Sequence, residues 1–257
     1  MTTMVGEMFR IDQLLVRRGF SRSRTQARQL IDARYVICNG YIIKKASMLC
    51  DEGANLEVTA NIHPWASRGG QKLVAALDSF GIDVSDSVCL DLGASTGGFT
   101  DVLISRQAKR VYAVDVGSGQ LASHLTNNEV VINLEQTDAR NLSLALIPDP
   151  IDIIVCDVSF ISLKKVLPVP MEFARQGGKL VCLLKPQFEG GPGKVDKKGI
   201  LRDESLRQSI LESTSIWLDG CLEWHFEGSI DSPIKGGDGN IEFLLVCLLY
   251  TSDAVDE

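Results

Sequence analysis

The sequence predicts an α/β protein: a doubly wound, mostly parallel seven-stranded sheet with an antiparallel edge, preceded by a small α+β domain. Three observations predict it. From residue 88 onward, apolar runs (VCLDLG, VYAVD, VVINLE, IDIIVCD, GKLVCLLK) alternate with helical stretches. Near-continuous apolar strands between helices mean a parallel sheet covered on both faces. The last two runs, CLEWHFEGS and IEFLLVCLLY, are separated by a Gly-rich loop and read as the antiparallel edge. Finally, the charge changes sign along the chain. The formal net charge is −7, yet residues 1–62 hold nine Lys or Arg against six Asp or Glu, so they carry +3 and the remaining 195 residues carry −10. A basic module on an acidic larger domain suggests a nucleic-acid handle joined to something else.

In the first module, RIDQLLVRRG places Ile11, Leu14 and Leu15 on one helical face, and Gly19 suits the left-handed position after the helix. Ser23 and Gln26 have the spacing of a capping box that opens a second helix, with Ala27, Leu30 and Ile31 buried. Asn39-Gly40 between YVIC and YIIKK signals a hairpin, because both residues tolerate positive φ. NLEVT ends the module, giving a domain over 7–62, a linker over 63–70 around Pro64 and Gly69-Gly70, and a second domain over 71–250 that opens with the helix QKLVAALDSF. Trp65 in the linker is either a base-stacking ring or a buried hinge contact.

The longest apolar runs, such as Phe243 to Tyr250, have about eight residues where a membrane span needs roughly 20. The chain start has no basic segment followed by an apolar stretch, so a cytoplasmic location is expected. Seven cysteines, an odd number with no C-x-x-C spacing, argue against a disulfide framework and a zinc site. Cys89, Cys156, Cys182 and Cys247 lie inside apolar runs and read as core residues. No metal is expected.

The sharpest motif is Asp91-Leu-Gly-Ala-Ser-Thr-Gly-Gly-Phe-Thr100, where the first strand of the sheet turns into a helix. A nucleotide-like ligand binds there in doubly wound folds, since glycines admit it to the backbone and the helix N-terminus offers free N–H groups. Candidate ligand residues are Asp91, Gly93, Ala94, Ser95, Gly97, Gly98 and Phe99. Asp115 ends the next strand, 22 positions after Gly93, the separation of an acid that binds ribose hydroxyls. A carboxylate at Asp91 would repel a pyrophosphate but suits the ammonium and sulfonium of S-adenosylmethionine, which favours that cofactor over NAD. Asp138, after the third strand, would flank the adenine. Gly190-Gly-Pro-Gly-Lys194 is not a P-loop, because Phe188 and Val195 stand where Gly and Ser or Thr are required. With Lys197 and Lys198 it reads as a mobile basic loop beside the substrate.

A second constellation consists of Asp157 and Lys185 at the ends of the fourth and fifth strands, Lys72 in the opening helix, and Glu242 at the start of the last apolar strand. Each alone is explained by an ion pair or a strand end. Together, a Lys among carboxylates and a second Lys can take the proton from, or orient, a ribose hydroxyl. Exocyclic-amine methyltransferases carry [DN]-P-P-[YF] after the fourth strand, whereas this chain reads Asp157-Val-Ser-Phe160. Cytosine-C5 enzymes need a loop Cys, whereas Cys156 and Cys182 sit in strands. A hydroxyl acceptor remains.

These runs resemble the TlyA (hemolysin A) family of RNA 2′-O-methyltransferases over residues 7–250. RIDQLLVRRGFSRSRTQARQLI with VICNG is similar to the S4 module, SRGGQKL to the joint, and LDLGASTGGFTDVL to the cofactor loop. YAVDVGSGQL, CDVSFISL, LLKPQFE and SPIKGGDGNIEFLL continue the likeness. The resemblance implies an S4 RNA-binding domain followed by a Rossmann-like, FtsJ-like S-adenosylmethionine-dependent domain that methylates cytidine riboses of ribosomal RNA, free or in ribosomal subunits. It implies a K-D-K-E tetrad at Lys72, Asp157, Lys185 and Glu242. Arg10, Arg17, Arg18, Arg22, Arg24, Arg28 and Lys44 would contact RNA phosphates. No protein partner is deducible. The rival readings are a pore-forming hemolysin, which lacks an apolar segment to insert, and an RNA-binding protein with an inactive methyltransferase domain. The S4 pattern normally has Gly at the end of its second helix, where this chain has Arg34. Either the helix ends differently or Arg34 gains an RNA phosphate.

Overall fold

The structure is a computed structural model that describes residues 7–21, 23–32, 34–59, 64–191, 193–221, 223–236 and 239–250. The chain divides into two compact units, Met1–Pro64 and Trp65–Glu257.

The small unit contains β1 (Met8–Arg10), α1 (Ile11–Arg17), α2 (Arg24–Asp32), β2 (Val36–Cys38), β3 (Tyr41–Ile42), β4 (Leu49–Asp51) and β5 (Leu56–Val58). β1 pairs with β4, and β2 lies between β3 and β5. The two apolar stripes meet as expected: Ile11, Leu14 and Leu15 of α1 and Ala27, Leu30 and Ile31 of α2 are all buried in one core. The Gln26 amide donates to Ser23 Oγ at 3.2 Å, which starts α2. Gly19 ends α1 at φ +75°, and Asn39 and Gly40 form the hairpin turn at φ +50° and +82°.

Arg34 takes the left-handed conformation itself, at φ +64°. Its amide donates to Ile31 O and that of Tyr35 to Leu30 O, both at 3.0 Å. This is the pair of bonds a glycine-ended helix makes. The helix therefore ends in the usual way despite the side chain. Cys38 and Cys50 pair as a disulfide that ties β2 to β4, which corrects the expectation of no bridge. The count of cysteines hid it, because an odd total still allows one pair once two strands bring their thiols into the same core.

Among the described residues, Asp12 is the one buried carboxylate of the small unit. It is fully buried, yet Arg10 Nε reaches it at 3.1 Å, Arg24 Nη2 at 2.9 Å and Arg28 Nε at 3.5 Å. Burial pushes its carboxyl up, but the hydrogen bonds from Arg10 and Arg24 outweigh that and hold it at about 2.

The large unit contains α3 (Gly69–Ser79), β6 (Val88–Leu92), α4 (Gly98–Ser105), β7 (Arg110–Val114), α5 (Ser123–Thr126), β8 (Val131–Leu134), β9 (Ile151–Cys156), α6 (Leu163–Val166), α7 (Pro168–Met171), β10 (Ala174–Leu184), α8 (Pro186–Glu189), α9 (Glu204–Asp219), β11 (Trp224–Asp231) and β12 (Phe243–Leu249). The seven-stranded sheet has the order β11-β12-β10-β9-β6-β7-β8. β12, inserted between β10 and β11, runs antiparallel to both. Both faces are covered, which explains the unbroken apolar strands. Along β9, Ile154 and Cys156 join the core beneath α6, α7 and α9, while Ile153 and Val155 join the one beneath α3 and α4. The chain lays β6, β7 and β8 to one side and returns with β9 to the other, so the order reverses between β6 and β9. Ligands of open α/β sheets bind at such a reversal. Among the described residues, no helix is long and apolar enough to cross a membrane.

Asp12 makes stability depend on acid. Its folded value lies below the ordinary 3.8, so it stabilises the fold fully above that value and loses the contribution as pH falls toward about 2. Amide-exchange protection of Leu14 and Leu30 should fall across that window in the full chain. In Asp12→Asn it should be lower at neutral pH and flat with acid.

Candidate functional site

The site is built at the reversal, from the carboxyl ends of β6, β7, β9 and β10. Asp91, on β6, is fully buried. Thr100 Oγ1, one turn into α4, donates to its Oδ2 at 2.6 Å, while Oδ1 is buried with no hydrogen-bond partner. Burial pushes this carboxyl up to about 7, against the Thr100 hydrogen bond and with help from the charges of Asp157 and Asp115. Gly93 then turns at φ +80°, and a Cβ there would lie 2.8 Å from the Asp157 carbonyl oxygen. Only glycine lets the ends of β6 and β9 approach this closely.

Asp115, just past β7, staples two turns together: its Oδ2 accepts the Ser95 amide at 2.8 Å and its Oδ1 the Gly117 amide at 2.7 Å. A cavity of about 500 Å³ opens beside them, lined by Gly93, Ser95, Asp115, Val116, Asp138, Asp157 and Phe160 among others. That volume is in the range of small-molecule sites. Asp138 caps the short helical turn Ala139–Asn141 by accepting the Arg140 amide at 2.9 Å. The Arg140 guanidinium, 2.6 Å away, holds the Asp138 carboxyl below the usual carboxylate range.

Of the nine ligand-binding candidates, Gly93, Ser95, Asp115 and Asp138 line the cavity. Ala94 and Phe99 are buried in the apolar cores. Gly97 and Gly98 answer to packing: a Cβ on Gly97 would overlap Leu125, and one on Gly98 would overlap Ser67. Trp65 likewise packs back onto Gly70.

The four catalytic candidates form two ion pairs. Lys185 Nζ lies 2.6 Å from Asp157 Oδ1 and donates to Ser159 Oγ at 2.8 Å. Lys72 Nζ lies 2.6 Å from Glu242 Oε2, with both side chains at least nine-tenths buried. Gly236 presses on this second pair, since a Cβ there would collide with the Glu242 carboxylate. The two pairs approach each other through α3: Lys72 is one turn beyond Gly69, whose Cβ position is 3.5 Å from Asp157 Oδ2.

In the small unit, Arg10, Arg24 and Arg28 converge on Asp12, Arg17 pairs with Glu52 at 2.9 Å, and Arg18 donates to Ala54 O at 2.5 Å. Arg22 lies outside the described residues. Lys44 is exposed, and its carbonyl accepts from Arg34 at 3.2 Å, so those two cations share one edge.

Sequence reasoning missed Thr100, Ser159, Arg140 and Phe160. Phe160 is 90% exposed at φ +65°, with its ring 5.0 Å from that of Phe188. The signal was present, because Phe160 stands where amine methyltransferases carry their aromatic residue. The pairings of Thr100 and Ser159 had none, since serine and threonine are common in loops.

A family model described as FtsJ-like methyltransferase matches residues 65–248, and one described as S4 domain matches residues 9–56. The chain is 45% identical over 248 residues to the 16S/23S rRNA (cytidine-2'-O)-methyltransferase TlyA of Mycobacterium tuberculosis (strain ATCC 25618 / H37Rv), covering 96% of this chain and 92% of that one. It is 41% identical over 236 residues to Hemolysin A of Brachyspira hyodysenteriae, covering 91% and 98%. A solved structure described as a hemolysin from Streptococcus thermophilus is similar at a TM-score of 0.75 and 37% identity, over 95% of this chain and 90% of that one.

Removing one member of a buried ion pair leaves an uncompensated charge, at a cost of about 3–5 kcal/mol. Lys72→Met should therefore lower the unfolding free energy by about that much, and the double variant Lys72→Met with Glu242→Leu should recover most of it. Denaturant titration of the three proteins checks both.

Proposed function

The chain belongs to the FtsJ-like methyltransferase family, in its TlyA branch with an S4 domain, and from that premise we propose that it methylates the ribose 2′-hydroxyl of a cytidine in ribosomal RNA, in the cytoplasm, using S-adenosylmethionine. The observation that carries this reading is the Lys185–Asp157 pair beside the cavity, completed by Ser159.

The residues present fit the cofactor. Asp91 Oδ1, buried and without a hydrogen-bond partner, suits a cationic group; Asp115 suits the ribose hydroxyls; and Asp138 suits the adenine edge. S-adenosylmethionine, when bound, supplies an electrophilic methyl group. The acceptor then needs a nucleophilic oxygen whose proton has somewhere to go. Asp157 Oδ1, 2.6 Å from Lys185 Nζ, and Ser159 Oγ, at 2.8 Å, fix where that amine points. A hydroxyl brought against Nζ would be oriented by the Lys185–Asp157 pair, and Lys185, after releasing a proton to solvent, would take the hydroxyl proton on its freed lone pair.

Two other target atoms fit less well. Cys156 is buried and its thiol is pushed up to about 12, so it carries no thiolate at neutral pH for attack on a cytosine ring. The Val158-Ser159 step replaces the prolines that flank an exocyclic amine. Phe160, at the cavity mouth, offers a π-face for an unstacked base, as single-stranded RNA recognition uses.

Lys185→Ala should lower methyl transfer to ribosomal subunits by about 10²–10⁴ while leaving cofactor affinity intact. Lys185→Arg should fail too, because arginine does not give up its proton at neutral pH. Tritium transfer from labelled cofactor measures this, and activity above about a tenth of parental would remove Lys185 from the chemistry.

RNA contact is assigned to the small unit, and the Arg34 and Lys44 edge tests it without touching the Asp12 network. Each lost phosphate contact should flatten the plot of log affinity against log salt by about 0.7–0.9. Arg34→Ala with Lys44→Ala should flatten it by about 1.5 in a filter-binding titration.

A further inference from the structure

We propose that Glu189 is a positioning residue for methyl transfer: its carboxylate clamps the loop between β9 and α6, and so holds Phe160 where the acceptor nucleoside needs it. The inference rests on the proposed ribose methylation. The loop runs from Asp157 to Ser162 and is gripped at several points. At its start, the Asp157 amide donates to Leu92 O at 2.9 Å, which ties it to β6. At its end, Ser162 Oγ donates to Glu189 Oε2 at 2.5 Å, and the Leu163 amide donates to Glu189 Oε1 at 2.7 Å. Between them, Lys185 Nζ donates to Ser159 Oγ at 2.8 Å, and the Phe188 ring lies 5.0 Å from that of Phe160.

Lys185, Phe188 and Glu189 are thus three contacts from one short segment. That segment is stiff. Pro186 fixes its first helical position, and the Phe188 amide returns to Lys185 O at 2.9 Å. The loop it holds would not keep its shape unaided. Phe160 has a left-handed backbone that disfavours a bulky side chain, and its ring is 90% exposed, so burial does not fix it. α6 is four residues long and adds little stability of its own. Glu189 takes two donors at the start of α6, and no other acidic side chain accepts from them among the described residues.

The test compares the full-length parent with Glu189→Ala, Glu189→Gln, Phe160→Ala and the double variant Phe160→Ala with Glu189→Ala. Three readouts are used: single-turnover methyl transfer to ribosomal subunits, calorimetric affinity for S-adenosylmethionine, and hydrogen exchange at the Leu163 amide. Misplacement of a positioned group by about 1 Å costs on the order of 10²-fold in rate. Glu189→Ala should lose about that factor with cofactor affinity unchanged, and its Leu163 amide should exchange faster. Glu189→Gln, which can still accept from Leu163 and meet Ser162, should recover most of the rate. The double variant should be no slower than Phe160→Ala alone, because both changes remove the same contribution. Multiplying losses in the double variant, or a parallel fall in cofactor affinity, would overturn the proposal. Unchanged Leu163 exchange in Glu189→Ala would overturn the clamp whether or not the parent methylates RNA. A parent that transfers no methyl group would instead overturn the proposed activity.

Discussion

An ionised side chain taken out of water must bring its opposite with it, since the desolvation penalty is several kcal/mol per charge. This constraint arranges both units. In the small one, the buried carboxylate of Asp12 gathers Arg10 from the end of β1 and Arg24 and Arg28 from the first turns of α2. Through Arg24 and Arg28 the pairing ties α2 to α1 beside their shared apolar stripe. In the large one, Lys72 finds Glu242 across 170 residues of sequence, and Lys185 finds Asp157. Neither lysine could be tolerated without the strand order that supplies its partner. Glu242 reaches Lys72 only because β12 is inserted beside β10, and Asp157 reaches Lys185 because β9 and β10 are parallel neighbours.

Asp91 is the exception, and its departure is informative. It is as buried as any of these groups, yet among the described residues no cation pairs with it: the neutral Thr100 hydroxyl donates to Oδ2, and Oδ1 has no hydrogen-bond partner. The unfavourable burial is what pushes its carboxyl toward neutrality. A cationic ligand would relieve it. The same strand end holds Gly93 against the Asp157 backbone, so the carboxylate that lacks a counter-charge and the one that holds Lys185 belong to a single packed corner. The candidate cofactor residue Asp91 and the Lys185–Asp157 pair are therefore coupled by close packing.

Much of the fold was legible because each signal was local or periodic. The apolar runs gave the strands, Gly19 and Asn39-Gly40 gave the turns, and the stripes on α1 and α2 gave the small core. The family likeness placed Lys72, Asp157, Lys185 and Glu242 as a single tetrad, and the structure resolves them into two pairs. What periodicity could not give is which partner a polar group finds at long range. Nothing distinguished Asp12 among the six acids of residues 1–62, and the Cys38–Cys50 bridge was masked by an odd cysteine total. Gly97 and Gly98 read as room for a ligand, whereas Leu125 and Ser67 occupy the space a side chain would need. A glycine demanded by a neighbour and one demanded by a ligand look identical in sequence.

The basic module shows how structure and recognition can draw on the same side chains. Counting the nine cations of residues 1–62 overstates the charge free to meet a polyanion, because Asp12 engages three arginines and Glu52 a fourth. Those guanidinium groups are nevertheless about 37–55% exposed, and each offers five donors in a planar fork. One edge can hold a carboxylate while the other faces a phosphate. A phosphate approaching the Asp12 cluster therefore meets arginines whose rotamers are already fixed, and less side-chain entropy is lost on contact than for a free lysine. Arg34 extends the argument to the backbone. Its left-handed conformation, at a position that favours glycine, carries a long cationic side chain to the edge it shares with Lys44. A phosphate bound at that edge would offset the modest conformational cost of a side chain at a left-handed position.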